Sequence, residues 1–207
     1  MKPRSKGTKY FSKRTQNQTQ NKKSTPERKN SQEKIIFRPN PNQIVVNTYS
    51  EEWLSKSFDL VYQKEILAKG KMVELGSEVE IVSSKGNILG AGIYGIGEVG
   101  VRRFSTQAEL LSASFFARHF ERALIRRDIP ENTNAWRWVH SENDDLPGIV
   151  VEVWSDEVSI ILSDSSLVVW MDTFLEALLR VRPFNRAWGH VRLGEGKQKD
   201  LGLVLGE

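Results

Sequence analysis

The sequence predicts an α+β protein: a small β-barrel, a linking helix, and an α/β domain of antiparallel strands with one buried helix. Three observations predict it. Residues 39–104 break into short β-prone runs separated by glycine turns, the pattern of a small barrel. Residues 106–127 place apolar side chains at spacings of three and four, the stripe of an amphipathic helix. Residues 136–205 read as three strands, a helix and further strands, with a polar corner and a tight turn after the first strand.

Composition bounds the function. The 207 residues suffice for one large or two small domains. There is no cysteine, hence no disulfide framework and no thiolate metal site. No apolar run approaches the roughly 18 residues that span a bilayer, and the N-terminus lacks the apolar core of a secretory signal. The expectation is a soluble, cytoplasmic protein with no membrane partner. The net charge of +4 is unevenly spread. Residues 1–34 hold eleven Lys and Arg against Glu27 and Glu33, so the remainder of the chain is net acidic. A claim of nucleic-acid binding for the remainder therefore needs a local patch.

Residues 1–38 read as a basic tail. Up to Lys34 its only apolar side chains beyond Met1 are Tyr10 and Phe11, too few to offset ordering entropy, so disorder is expected. Such a tail either speeds encounter with phosphate backbones or simply solubilises the chain. Arg38-Pro39-Asn40-Pro41 marks entry to folded structure. Gln43 to Asn47 reads as a strand, and Ser50 as the N-cap of a short helix with Glu51 and Glu52 in its first turn. Short β-like pieces follow at Phe58 to Tyr62 and Ile66 to Ala68. Val79 to Val82 is a clearer strand, Ser84 to Asn87 its turn, and Ile88 to Tyr94 the return, with Gly90 and Gly92 suggesting a bulge. Val99 to Phe104 closes the barrel.

Thr106 to Arg127 is the clearest helix, with Leu110, Ala113, Ala117, Phe120 and Leu124 on its apolar stripe and Ser105 or Thr106 to cap it. Arg118, Arg122 and Arg126 recur at i, i+4 and i+8 as a basic ridge. It reads either as phosphate contacts or as a solvated face with cations near a helix C-terminus. Arg102 and Arg103 close the barrel just before it. Adjacent strand residues face opposite sides, so only one of them can share the ridge's surface, while the other pairs with an acid or covers apolar surface.

Trp136 to Val139 is a strand, and Glu142-Asn143-Asp144-Asp145 is an acidic corner that cannot be buried unpaired. It is either a metal site or a corner whose carboxylates accept backbone N–H bonds, the commoner case. Leu146-Pro147-Gly148 is a turn, and Ile149 to Val153 a half-buried strand. Val150 to Trp154 and Val158 to Leu162 form a hairpin. Asp164-Ser165-Ser166 caps a helix from Leu167 to Arg180, apolar on several sides and therefore buried. Ala187 to Gly189 and Leu201 to Leu205 are final strands, with a mobile loop at 194–199 between them. Gly194-x-Gly196 is not a dinucleotide fingerprint, since it lacks a third glycine and a following helix.

The segment Arg137-x-x-x-x-Glu142-Asn143-Asp144-x-Leu146-Pro147-Gly148-x-x-Val151 resembles the signature of the PUA-containing class I 23S rRNA (cytosine-5-)methyltransferases. Asp145 stands where that family usually has glycine. The run Gly76-x-x-Val79-x-Ile81-Val82-x-x-x-Gly86-x-x-Leu89-Gly90-x-Gly92-x-Tyr94, with Val101-Arg102, is similar to the family's PUA domain. Ser57 to Tyr62 replaces the family's early basic stretch, which weighs against RNA binding by the barrel itself. The resemblance covers about residues 40 to 207. It implies a PUA-like barrel at 39–104 and, at 105–207, a linking helix with the family's central α/β domain. Arg137, Glu142, Asn143, Asp144, Leu146, Pro147 and Gly148 would be a structural signature.

The resemblance also implies what this chain lacks. The family attacks cytosine C6 with a cysteine thiolate before methyl transfer, and there is no cysteine here. No strand, glycine-rich loop and helix stand ready to hold S-adenosylmethionine, so neither a cofactor-binding nor a catalytic residue is assigned. His119, His140 and His190 are far apart and show no nucleophile–base spacing. The expected function is the RNA-binding and positioning part of such a methyltransferase, as a fragment, a split-gene product or a degenerate paralogue, inactive alone. Expected partners are RNA, above all rRNA, and a separate methyltransferase chain that would hold the cofactor; a homodimer also fits. Arg102, Arg103, Arg118, Arg122 and Arg126 are the candidate RNA contacts. The alternative is a protein-interaction module that docks through the exposed side of the Leu167–Arg180 helix.

Overall fold

Runs of apolar residues that alternate or bury on both faces build two sheets. A computed structural model describes residues 35–193 and 197–206. The expected disorder of residues 1–34, and the part of the expected mobile loop at 194–196, lie outside the described residues.

The first sheet has six strands: β1 (Gln43–Val46), β2 (Leu60–Tyr62), β3 (Ile66–Lys69), β4 (Glu78–Ser83), β5 (Ile88–Tyr94) and β6 (Val99–Ser105). Their order is β2-β6-β5-β4-β1-β3. Only β1 and β4 run parallel. A 3₁₀ turn at Gln63–Glu65 joins the edge strands β2 and β3, and the sheet curls into a half-barrel. Ile44, Val46, Leu54, Val61, Val79, Ile81, Tyr94 and Val101 fill it. Pairing slips by a residue at Ala91/Gly92, as the glycines suggest. Gly90 has φ +140°, and a Cβ there would collide with the Ser105 carbonyl, so only glycine lets the two strands approach.

Helix α1 (Thr48–Ser55) starts earlier than Ser50 suggests. Asn47 is its N-cap, accepting from the Ser50 N–H at 2.9 Å. The Ser50 hydroxyl instead donates to the buried Glu65 carboxylate at 2.8 Å. Asn47 wins because its backbone is extended where the helix begins, and an N-cap requires that geometry.

The second sheet contains β7 (Ala135–His140), β8 (Ile149–Trp154), β9 (Glu157–Leu162), β10 (Arg186–Arg192) and β11 (Gln198–Leu205), in the order β11-β10-β9-β8-β7. It is antiparallel except for β9 and β10. Helix α3 (Met171–Val181) lies between those two strands in the chain and carries it back to start β10 alongside β9. The expected helix from Leu167 thus begins at Met171, and Ser165–Trp170 is a 3₁₀ turn capped by Asp164. Helix α2 is shorter than expected, Ala113–Ile125, and is capped by Ser112. Leu110 fits the apolar period but lies outside the helix, 71% exposed.

Helices α2 and α3 pack against each other. Phe115, Phe116 and Phe120 of α2 and Phe174 of α3 meet Trp138, Val151, Val153 and Ile160 of the second sheet. Ala91, Ile93 and Phe104 of the half-barrel join the same cluster. Further ties cross between the two sheets' elements: Trp170 Nε1 donates to the Gly76 carbonyl at 2.8 Å, and Leu111 N–H donates to Glu78 at 2.9 Å. Among the described residues no helix is long and apolar enough to cross a membrane.

Candidate nucleic-acid interface

The apolar stripe of α2 faces the core, so its other side must face solvent. Arg118, Arg122 and Arg126 recur on that side and are all exposed. Arg118 reaches Glu109 at 3.2 Å and lies over the Phe115 ring. Arg126 lies 3.3 Å from Asp144 and 3.8 Å from Asp145. Arg122 forms no ion pair among the described residues. The ridge thus holds three guanidiniums, each open to water.

Arg102 and Arg103 are not exposed as the ridge is, although Arg103 lines the cavity beside it. Each is about 5% exposed, Arg102 at 6% and Arg103 at 5%. Arg103 pairs with Asp59 at 2.7 Å and also donates to the carbonyls of Leu54 at 2.9 Å and Leu89 at 3.3 Å. Arg102 pairs with Asp164 on the opposite side of the strand. Burial lowers the Arg102 pKa from its ordinary value, while Asp164 and Glu142 oppose the shift. Of the two, Arg103 is the one on the ridge's side, but both are nearly buried and paired with acids rather than open to solvent. Both positions turn inward because covering elements bring acids to both faces of β6.

A cavity of about 570 Å³ lies between the half-barrel and the ridge, lined by Asp59, Arg103, Glu109, Arg118, His119 and Arg122, among others. Its walls alternate in charge. His119 is 8% exposed, and its Nδ1 lies 3.0 Å from the Phe115 carbonyl. Burial pushes its pKa below the ordinary value, with the Arg122 and Arg118 charges acting the same way. Near the Ser57 side of this cavity, Phe58 is 54% exposed and meets Trp53 edge-on, with ring centroids 4.6 Å apart.

At the signature corner the acids bind the protein itself. Asp144, 2% exposed, accepts from the His140 N–H at 2.6 Å and pairs with Arg127 as well as Arg126. Arg127 Nε also donates to the Trp138 carbonyl at 2.9 Å. One carboxylate therefore fastens the end of α2 to β7 and the corner. Leu146, Pro147 and Gly148 are buried. Glu142 and Asn143 are exposed, and Arg137 pairs with Glu152 across β7 and β8 at 2.6 Å. Sequence reasoning placed Arg127 at the end of the helix and missed its clamp on Asp144. The spacing carries no signal for that contact, because it depends on where α2 lands on β7.

Residues 44–106 match the family model described as a PUA-like domain. A ribosomal RNA large subunit methyltransferase I from Alteromonas mediterranea is 25% identical over 174 residues, 80% of this chain and 44% of that relative. A protein of the same name from Vibrio cholerae is 30% identical over 142 residues, 65% of this chain and 36% of the relative. The chain thus spans less than half the length of these relatives. A solved structure from Streptococcus mutans, described as a SAM-dependent methyltransferase, aligns with TM-score 0.66 and 17% identity over 80% of this chain and 43% of its own. At that identity it shows the shared fold. The chain contains a PUA-like domain and is homologous to the N-terminal part of the ribosomal RNA large subunit methyltransferase I proteins.

Proposed function

We propose that this chain is the RNA-binding and positioning part of an rRNA (cytosine-5-)methyltransferase-like protein that works in the cytoplasm. The observation that carries the proposal is the exposed ridge Arg118, Arg122 and Arg126 beside a PUA-like half-barrel. The curated relatives, whose names say that they are ribosomal RNA methyltransferases, support it. Guanidiniums spaced one helical turn apart suit successive phosphates of a backbone, and phosphate contacts fix orientation without reading sequence. The ridge and the wall of the adjoining cavity would hold the strand. The basic segment 1–34 would add non-specific attraction.

In this reading the half-barrel at 39–104 and the α/β part at 105–207 act as a positioning unit. Several buried side chains of both share one apolar core, which would keep the RNA contacts of the two parts in fixed register. Methyl transfer to C5 would fall to a separate S-adenosylmethionine-binding part, since this chain offers no thiolate to attack C6. The test is an anisotropy titration of the full chain with labelled 23S rRNA fragments at several salt concentrations. Binding that weakens steeply with salt is expected. No binding at low salt would overturn the proposal.

A further inference from the structure

The cavity between the half-barrel and α2 has a chemistry that phosphate contacts along the ridge do not use. At about 570 Å³ it falls within the range of about 300–1,000 Å³ usual for small-ligand sites. Arg103, Arg118 and Arg122 line it together with Asp59, Glu109, Glu121 and Asp145. His119 adds no charge near neutral pH, because burial holds its pKa below the ordinary value. Three cations against four carboxylates leave the cavity slightly acidic, so a phosphate is not drawn into it. It suits an uncharged group that offers both donors and acceptors.

Most of these charges are already matched. Arg103 pairs with Asp59 at 2.7 Å, Arg118 with Glu109 at 3.2 Å, and Asp145 lies 3.8 Å from Arg126. Glu121 and Arg122 are the exceptions. Both are exposed, and among the described residues neither forms an ion pair or a side-chain hydrogen bond. As neighbours on a helix they leave its axis about 100° apart, so they can address two edges of one planar ligand. Arg118 and Arg122 belong to the ridge as well as to the cavity wall, so the two surfaces are continuous. Proteins read single-stranded RNA through bases that leave the stack and are hydrogen-bonded along their edges.

Guanine alone among the four bases has two adjacent N–H donors on one edge and two adjacent acceptors on the next. A carboxylate answers the first pair with its two oxygens, and an arginine fork answers the second. Adenine and cytosine set one amino group beside a ring acceptor, and uracil sets one N–H between two carbonyls, so each leaves a carboxylate oxygen unanswered. We propose that the cavity is a guanine pocket: an unpaired guanine of a strand held on the ridge enters it, donates from N1–H and N2–H to Glu121, and accepts at O6 and N7 from Arg122. The pocket rests on the reading of the ridge as an RNA contact and adds a base preference to it.

The test measures, by fluorescence anisotropy, binding of the full chain to a short labelled oligouridine carrying one central guanosine. The same strand with adenosine, cytidine, inosine or uridine at that place is measured beside it. The guanosine strand should bind tighter than the uridine strand by about five- to 150-fold, the worth of a good bidentate pair. Inosine, which lacks the 2-amino group, should fall between them. In Glu121→Gln, and in Arg122→Lys, which keeps the charge and loses the fork, the ratio of guanosine to uridine affinity should shrink toward one. The ratio is taken within each protein, so a change in stability does not imitate the result. Tighter binding of the adenosine or cytidine strand, or a guanosine preference that survives Glu121→Gln, would overturn the pocket. Equal binding of all strands with a steep salt dependence would overturn the pocket and leave the ridge standing, whereas no binding of any strand at low salt would overturn both.

Discussion

Replacing Asp144 with alanine should destabilise the protein more than any other change at the acidic corner. The carboxylate is 2% exposed and holds three partners from two places: the His140 N–H at the end of β7, at 2.6 Å, and Arg127 and Arg126 at the end of α2. The backbone bond is to a charged acceptor, worth about 1.5–3 kcal/mol. Arg127 is 25% exposed at its side chain, so losing its partner leaves a partly hydrated guanidinium and costs about 1 kcal/mol. Arg126 is 45% exposed, and its contribution lies at the surface level, below about 1 kcal/mol. The sum is about 3 kcal/mol. Urea denaturation followed by circular dichroism would measure it, and with a slope of about 2 kcal/mol/M the midpoint should fall by about 1.5 M. Asp145→Asn is the control, since that side chain is 57% exposed, pairs among the described residues with Arg126 alone, at 3.8 Å, and asparagine tolerates the positive φ there. Equal small losses below about 1 kcal/mol for both variants would refute the clamp.

Other outcomes follow from the same contacts. Trp138→Phe removes the 2.9 Å bond to the Phe120 carbonyl from a fully buried ring and should cost about 2 kcal/mol by thermal or chemical denaturation. Burial depresses the folded-state pKa of His119, so the unfolded chain takes up its proton first as pH falls. This group's contribution to stability is intact above about 6.5 and is lost as pH drops below it toward the depressed folded value. A His119→Gln variant should flatten that part of a plot of Tm against pH, and an unchanged slope would contradict the assignment. Deleting residues 1–34 should weaken binding to arbitrary RNA and reduce the salt slope, while unchanged binding would leave the tail a solubilising role.

The strands and the core faces of the helices were legible because burial imposes a period on the sequence. The second-sheet strands, the Leu146-Pro147-Gly148 turn and the aromatic face of α2 all follow from that period. The start of α2 did not, because Leu110 falls on the stripe by coincidence while Ser112 makes the actual cap bond to the Phe115 N–H. Arg102 and Arg103 were misjudged for a different reason. An arginine on a strand looks the same whether it meets water or an acid, and Asp59 and Asp164 are brought to it only by the tertiary fold. The ridge was legible as a spacing, and its exposure follows from which face of α2 is apolar. The close packing of Arg102 and Ser163 over Gly148 was not, since it depends on where the tertiary fold sets β6 against the turn.

The central claim is that the folded part touches RNA through α2. Its most direct test is an RNA titration of a chain beginning at Ile35, comparing the parent with the Arg118→Glu, Arg122→Glu double variant. Both side chains are exposed, so each substitution should cost under about 0.5 kcal/mol of stability, checked by urea denaturation. The account predicts that RNA affinity falls at least tenfold at low salt and that the salt slope shrinks by about two phosphate contacts. Equal affinity and equal salt slope in the two proteins would contradict it and leave the ridge a solvated helix face.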